Sequence, residues 1–371
     1  MKLYYDITEI LLWEGAHTGI QRVVNGYAEG LKKIMPNVVL FYIRDGKGYS
    51  LKTDKVLGFV CKDVIFTASA NWDRIENLVF FERAKKSGAF CVNLYHDLTP
   101  IIIPHSFKPG FNERFGYWFD WAKEIFDFHI ANSEHTKRDL LTYSATFNKD
   151  NVHVVRLADK IDTVKKFTLS EEKKFFSKFR LDKYLLSVGT IEFRKNHITL
   201  LNAYRVLVAT AQINLPKLVL VGRYGWMNLD VKYQIENDPL LKDNVIVIED
   251  ATDLQLDCLY RNCLFTLYAS IYEGWGLPIA ESMNYGKPCI ISDNTSLPEI
   301  APNLTYAVNA LDPYDWANKI SMLCKDTSLY DENVTQIKLN YKSTNWTEAS
   351  QQVLMLIQDW YSSVQEDPNN E

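Results

Sequence analysis

Short β-rich runs alternate with longer stretches of helical period along this chain, and that alternation limits the folds open to it. LYYDIT, VVLFYI, DVIFTAS, AFCVNLYHD, FHIANS and VHVVRLA read as strands in the first half. IQRVVNGYAEGLKKI, RIENLVFFERAKKS and NERFGYWFDWAKEIF read as helices between them. The second half repeats the theme with YLLSVGT, KLVLVGR, NVIVIED, LFTLYAS and PCIISD, and with helical ITLLNAYRVLVATA, LQLDCLYRNC and PYDWANKISMLC. Such alternation predicts parallel sheets covered by helices on both faces. A chain of 371 residues exceeds one ordinary core and suits two domains of about 150–200 residues. The charged stretch DKIDTVKKFTLSEEKKFFSKFR, residues 159–180, lacks a buried-strand pattern and separates the two sets. The expected class is therefore α/β, with doubly wound parallel-sheet domains over 1–165 and 166–345 whose strand ends face a central cleft. A last amphipathic helix within 346–371 is expected to pack back across both.

Charge and cysteine usage exclude several classes. The net charge is −5, which gives no global basic field for nucleic acid. Six cysteines, at 61, 91, 258, 263, 289 and 324, form no C-x-x-C pair and no zinc spacing. Several sit in apolar runs and read as buried thiols. The start, MKLYYDITEILLW, is interrupted by Asp6 and Glu9 and lacks the apolar core of a signal peptide. No apolar run approaches the ~20 residues of a membrane span. The expectation is a cytoplasmic protein in a reducing compartment, with the N-x-S/T matches at Asn294, Asn303, Asn333 and Asn345 arising by chance.

The densest chemical signal is SIYEGWGLPIAESMNYGKPCIISD, residues 270–293. Glu273 lies in a glycine-flexed loop, and Glu281 on the first turns of a helix expected to begin near Pro278. Gly274 and Gly276 allow close backbone approach. The amides of Trp275, Gly276 and Leu277 would point from a helix start, which suits a diphosphate or a sugar hydroxyl. A carboxylate at each end can accept hydrogen bonds from vicinal hydroxyls. The second signal is SVGTIEFRKNHITLLNAY, residues 187–204, where Arg194 and Lys195 follow a strand. A fork-like guanidinium and a point-charge ammonium at a strand end suit a diphosphate.

These segments resemble the retaining glycosyltransferases of family 4, of GT-B architecture with two Rossmann-like domains, whose E-G-F-G-L-P-x-x-E-A-M signature appears here as E-G-W-G-L-P-I-A-E-S-M. The TSLPE tail at 295–299 follows the same pattern. The resemblance implies that Glu273 contacts the donor sugar, Glu281 the ribose hydroxyls, and the intervening backbone the phosphates. It gives Lys195 the task of neutralising the leaving diphosphate. Many relatives carry an arginine directly after the strand glycine; here that position is Thr190, and Arg194 and Arg223 are the substitutes considered. In the amino-terminal half, TGIQRV places Gly19 near the donor and Arg22 as a weaker acceptor-side candidate. The LYHDLTP element puts His96 near donor and acceptor hydroxyls, and ANSEHT offers Ser133 at the next strand end.

The resulting expectation is a hexosyltransferase that retains anomeric configuration. It would move a sugar, with GDP-mannose favoured and UDP- or dTDP-sugars open, to a saccharide or lipid-linked saccharide in polysaccharide or lipopolysaccharide assembly. A nucleotide-sugar 2-epimerase and a silent sugar-nucleotide-binding module are the alternatives. No two aspartates stand one residue apart, so the D-x-D metal site is missing and no metal or cofactor is expected; cations and a helix start would stabilise the leaving group. The aromatic and cationic residues of segment 100–126 raise a further expectation of weak peripheral membrane contact, against the alternative that they form core.

Overall fold

The computed structural model describes residues 1–11, 19–159, 166–210 and 214–366. Two compact units emerge: Met1–Pro104, Pro109–Ala158 and Thr344–Glu371 form unit 1, and His105–Lys108 with Asp159–Ser343 form unit 2. The 165/166 junction expected from sequence and the TG step before Gly19 touch residues outside the described ones.

Unit 1 is built on seven strands: β1 (Leu3–Asp6), β2 (Val39–Arg44), β3 (Lys47–Ser50), β4 (Val64–Thr67), β5 (Phe90–Tyr95), β6 (Phe128–Ala131) and β7 (Val152–Val154), in the order β3-β2-β1-β4-β5-β6-β7. All pairs are parallel except β2–β3. β3 was not among the expected strands, although Asp45-Gly46 is a hairpin signal. Both residues take positive φ, 51° and 65°, as a tight two-residue turn requires. β1 and β4 consist wholly of buried residues, which is why they read as continuous apolar runs rather than alternating ones.

The aromatic segment considered for membrane contact is largely core. On the helix Phe111–Ile125, Phe115, Trp118 and Phe119 are buried in the cluster that holds Phe41, Phe81 and Leu140, while Tyr117 faces solvent. Trp72 packs between Phe115 and Trp118 at ring distances of 5.3 Å. Helical period placed these rings on one face, and the sheet is what covers that face. No described helix is long and apolar enough to cross a membrane.

The helix Trp346–Glu366 belongs to unit 1. It lies against the helix Gly19–Ile34, and Trp360 meets Phe90 edge-on and Phe128 at a tilt, each 5.2 Å away. Gly26 and Gly30 permit the approach. A Cβ on Gly26 would stand 2.1 Å from the Trp346 ring, and one on Gly30 2.2 Å from Ser350 Oγ.

Unit 2 carries six parallel strands: β8 (Tyr184–Val188), β9 (Lys217–Val221), β10 (Val245–Ile248), β11 (Thr266–Tyr268), β12 (Cys289–Ser292) and β13 (Tyr306–Val308), ordered β10-β9-β8-β11-β12-β13. This is the doubly wound order whose direction reverses between β8 and β11, where such sheets bind ligands beyond the strands' carboxyl ends. The charge-rich stretch expected to be a connector contains the helix Leu169–Phe179. Thr168 and Glu171 form a full capping box at its start, and Phe175 provides the buried contact. A T-x-x-E signal was present in the sequence, and the surrounding lysines obscured it.

The glycine contacts give a direct expectation. Gly26→Ala lowers unfolding free energy by about 1–3 kcal/mol through overpacking, read as a lowered denaturation midpoint. Gly58→Ala, at a position with nothing within 4 Å of an added Cβ, leaves the midpoint within error.

Candidate functional site

At the reversal point of unit 2 the chain leaves β8 through Gly189, whose φ is 148°, and neighbouring β9 through Gly222, at 154°. A Cβ on Gly222 would lie 2.1 Å from the Gly189 carbonyl oxygen; only glycine fits so close a crossing. The loop after β8 then makes a single 3₁₀ turn, Phe193–Lys195, closed by Asn196 at a φ of 55°. Asn196 Nδ2 donates to the carbonyls of Ala269 (3.0 Å) and Ala310 (2.7 Å), and Thr199 Oγ1 donates to its Oδ1 at 2.9 Å. The amide of Ile271 donates to Arg194 O at 2.8 Å. These bonds tie the loops after β8 and β11 together, so their side chains meet by construction. Asn196 was not singled out from sequence, where an asparagine ahead of a helix reads as an ordinary cap.

What meets there is a buried ionic cluster centred on Glu273, itself 4% exposed. Its Oε1 accepts from Lys195 Nζ at 2.5 Å, Ser270 Oγ at 2.7 Å and Tyr268 OH at 3.0 Å. Its Oε2 accepts from Arg194 Nη1 at 2.7 Å. Glu192 binds the other side of that guanidinium, Nε to Oε1 at 2.8 Å. Two cations thus balance two carboxylates, as burial demands of charge. Burial alone would raise the Glu273 carboxyl, but Arg194 and Lys195, with hydrogen bonds from Lys195 and Ser270, outweigh it and hold the group at about 2. Burial lowers Lys195 from its ordinary 10.5, opposed by the Glu273 charge. The backbone of Glu273 is pinned too: Ser296 Oγ donates to its carbonyl at 2.9 Å, and its amide donates to Thr295 Oγ1 at 3.3 Å. This explains structurally why the TSLPE segment accompanies the glutamate motif.

The helix Leu277–Asn284 starts after Gly276, with Pro278 in its first turn. A side chain at 276 would meet Ile300 Cδ1 at 2.8 Å. Trp275 is buried, and Gly274 through Leu277 form the approach to this helix start, where first-turn amides have no intrahelical acceptor. Glu281 is 2% exposed and accepts from Tyr260 OH at 2.8 Å. Tyr260 stacks on Tyr285 at 5.2 Å, and Tyr285 OH is bonded to Asp257 at 2.8 Å. The structure therefore brings Arg194, Lys195 and Glu273 into one cluster. It does not bring in Arg223, whose guanidinium lies on Asp250 at 2.7 Å with both side chains more than half exposed. The backbone of Arg223 does reach the site loop, its carbonyl accepting from Ile191 at 2.8 Å. Its side chain turns instead to Asp250, a pairing no sequence spacing reveals.

His96, Gly19, Arg22 and Ser133 belong to unit 1. Its sheet also reverses direction between two strands, β1 and β4, and buried polar groups gather at their ends. Asp6 accepts from Thr8 Oγ1 at 2.5 Å and Thr67 Oγ1 at 2.8 Å, and burial raises its carboxyl. Glu9 accepts from Gln21 Nε2 at 2.7 Å. Neither acid was chosen from sequence, where each read only as an interruption of an apolar start. His96 follows β5, with Nε2 2.8 Å from Ala68 O; burial lowers it from 6.5, so the neutral ring donates that bond. Asn132 Nδ2 donates to the His96 carbonyl at 2.7 Å. Ser133 is a helix cap, its Oγ accepting from Thr136 N at 3.0 Å. Gly19 opens the helix Gly19–Ile34 at a φ of 37° with open space beside it, and Arg22 is half-buried on that helix.

Residues 170–340 match the family described as glycosyl transferases group 1. Across 384 aligned positions the chain is 24% identical to the serotype-specific mannosyltransferase WbdA of Escherichia coli, covering 95% of this chain and 46% of that protein. The chain thus spans about half the length of such curated relatives. It is 38% identical over 117 residues to O-antigen chain mannosyltransferase B of Escherichia coli, covering 32% of this chain and 30% of that one. Among solved structures, Anabaena Alr3699/HepE in complex with UDP-glucose superposes with a TM-score of 0.71 at 16% identity, covering 97% of this chain and 100% of that one. The likeness is one of fold: two Rossmann-like α/β units of the GT-B class.

The ionic cluster carries a pH signature. A carboxyl at about 2 in the fold and near 4.5 when unfolded stabilises the protein above pH 4.5, and that contribution is lost as pH falls through about 2. Glu273→Gln takes the carboxylate from buried Lys195 and leaves Arg194 with Glu192 alone, which costs about 3–5 kcal/mol at pH 7. Urea midpoints measured from pH 7 to pH 3 will show the gap between wild type and variant narrowing below pH 4.5; a gap independent of pH contradicts the ion-pair account.

Proposed function

We propose, from the premise that residues 170–340 are a glycosyl transferases group 1 domain, that this chain transfers a hexose from a nucleoside-diphosphate sugar to a saccharide acceptor with retention of configuration. The observation that carries this reading is the placement of Lys195 and Arg194 on Glu273 at the reversal point of unit 2. A diphosphate arriving there meets two cations and the start of the helix Leu277–Asn284. Both stabilise negative charge as the sugar–phosphate bond breaks, without a metal. Glu281 takes the ribose hydroxyls, its carboxylate aimed by Tyr260.

The state of Glu273 supports its role as a binder. With its ion pairs intact, a carboxyl held at about 2 is a poor proton acceptor at neutral pH, and the four hydrogen bonds it accepts fit a binding group better than a general base. The acceptor hydroxyl then attacks from the face the diphosphate leaves, and its proton passes to the departing phosphate oxygen. Within unit 1, His96, Arg22 and Ser133 are the proposed acceptor contacts and Gly19 a proposed donor contact.

Mannose is the proposed sugar and GDP-mannose the donor, because the curated relatives named above are mannosyltransferases. The proposed acceptor is a saccharide, free or lipid-linked, of surface polysaccharide assembly.

GDP release from GDP-mannose, measured with and without a mannobiose acceptor and beside UDP- and dTDP-sugars, tests the reaction. Acceptor-dependent release with GDP-mannose is expected; release with no sugar transferred would point to an epimerase or a hydrolase. Lys195→Ala lowers kcat by about 10²–10³-fold, the size of a lost preorganised charge. Turnover persists in excess EDTA; loss that magnesium or manganese restores would contradict the cation-based mechanism.

A further inference from the structure

The donors that meet Glu273 are of two kinds. Lys195 and Arg194 are cations on the loop after β8, whereas Tyr268 and Ser270 are neutral hydroxyls at the end of β11 and just beyond it, on the segment that carries Glu273 itself. A diphosphate bound between the ends of β8 and β11 competes with Glu273 for both cations, because phosphate oxygens accept such charge-assisted bonds strongly. When the cations turn to it, the carboxylate keeps the donors that travel with its own strand. Of these, Tyr268 touches both partners in the exchange. Its hydroxyl accepts from Lys195 Nζ at 2.7 Å and donates to Glu273 Oε1 at 3.0 Å, and the ammonium also lies 5.1 Å from its ring centroid. At 4% exposure, the ring is fixed by packing, so the hydroxyl has one place to be.

We propose that Tyr268 is a positioning residue whose hydroxyl keeps Glu273 aimed at the donor sugar while the diphosphate draws Lys195 and Arg194 away. The assignment rests on the donor reading above. In this structure Tyr268 shares Lys195 with Glu273; with a diphosphate bound it and Ser270 hold the freed carboxylate, whose vacated lone pairs then accept from sugar hydroxyls. The hydroxyl therefore matters to the sugar and not to the diphosphate. Removing it loosens the resting hold on Lys195, so nucleoside diphosphate binding does not suffer, while Glu273 loses its aim during turnover.

Tyr268→Phe keeps the ring and deletes the bridge; Ser270→Ala removes the second neutral donor. The experiment measures thermal midpoints, calorimetric affinities for GDP, UDP and dTDP, and kcat and KM with the matching nucleotide sugar. The expected result for Tyr268→Phe is a folded protein with diphosphate affinity equal to or tighter than wild type and kcat lowered about 10- to 100-fold. Ser270→Ala moves in the same direction. Wild-type kcat in Tyr268→Phe, or diphosphate affinity and kcat falling by the same factor, overturns the role of Tyr268 while leaving the donor reading standing. Wild-type protein that binds none of the three diphosphates sinks the donor reading itself, and this role with it.

Discussion

The carboxylate of Glu273 organises unit 2 as much as any apolar contact does. An ionised carboxyl at 4% exposure is tolerable only when its charge is met and its lone pairs are filled. Lys195, Arg194, Tyr268 and Ser270 do both. Around the cluster, Gly222 must be glycine for the strand ends to cross, Gly189 takes a φ of 148° that favours glycine, and Asn196 leaves the helical region to tie the loop to Ala269 and Ala310. The same bonds that make the cluster stable in the resting protein place two cations where a sheet of this order receives ligands.

Stability and function draw on one set of bonds, which makes the site an exchangeable one. Glu273 satisfies both cations in the structure, so on the proposed reading a diphosphate would replace that partner. Such a site avoids leaving uncompensated buried cations in the empty protein, a state more costly than an intact pair. On the proposed reading it would also couple the two halves of a nucleotide sugar: what the diphosphate takes from Glu273, the sugar hydroxyls would return. In unit 1, Asp6 is likewise buried and hydrogen-bonded, but its partners are neutral hydroxyls and burial raises its carboxyl, so the two strand-end acids are held in opposite electrostatic settings.

Much of this was legible in the sequence because period and spacing are local. Alternating β and α runs gave the two parallel sheets, and the segment from Glu273 to Glu281 gave a loop–helix joint. The RKN triplet gave cations at a strand end. Features that depend on distant pairing were not legible. Arg223 and Arg194 look equivalent as arginines past a strand, yet Asp250 takes one and Glu273 the other. The aromatic helix Phe111–Ile125 could have faced lipid or sheet; its period fixes which rings share a face and is silent on what covers them. The helix Leu169–Phe179 was hidden because lysines around its capping box made the stretch read as a connector.

The proposed function requires Lys195 and Arg194 to leave Glu273 for a diphosphate. A crystal structure of the protein with GDP, or with whichever nucleoside diphosphate binds, tests that directly. The account predicts Lys195 Nζ and the Arg194 guanidinium on phosphate oxygens, with Tyr268 and Ser270 still bonded to Glu273. Phosphates bound elsewhere, with the Lys195–Glu273 and Arg194–Glu273 ion pairs intact, would contradict it.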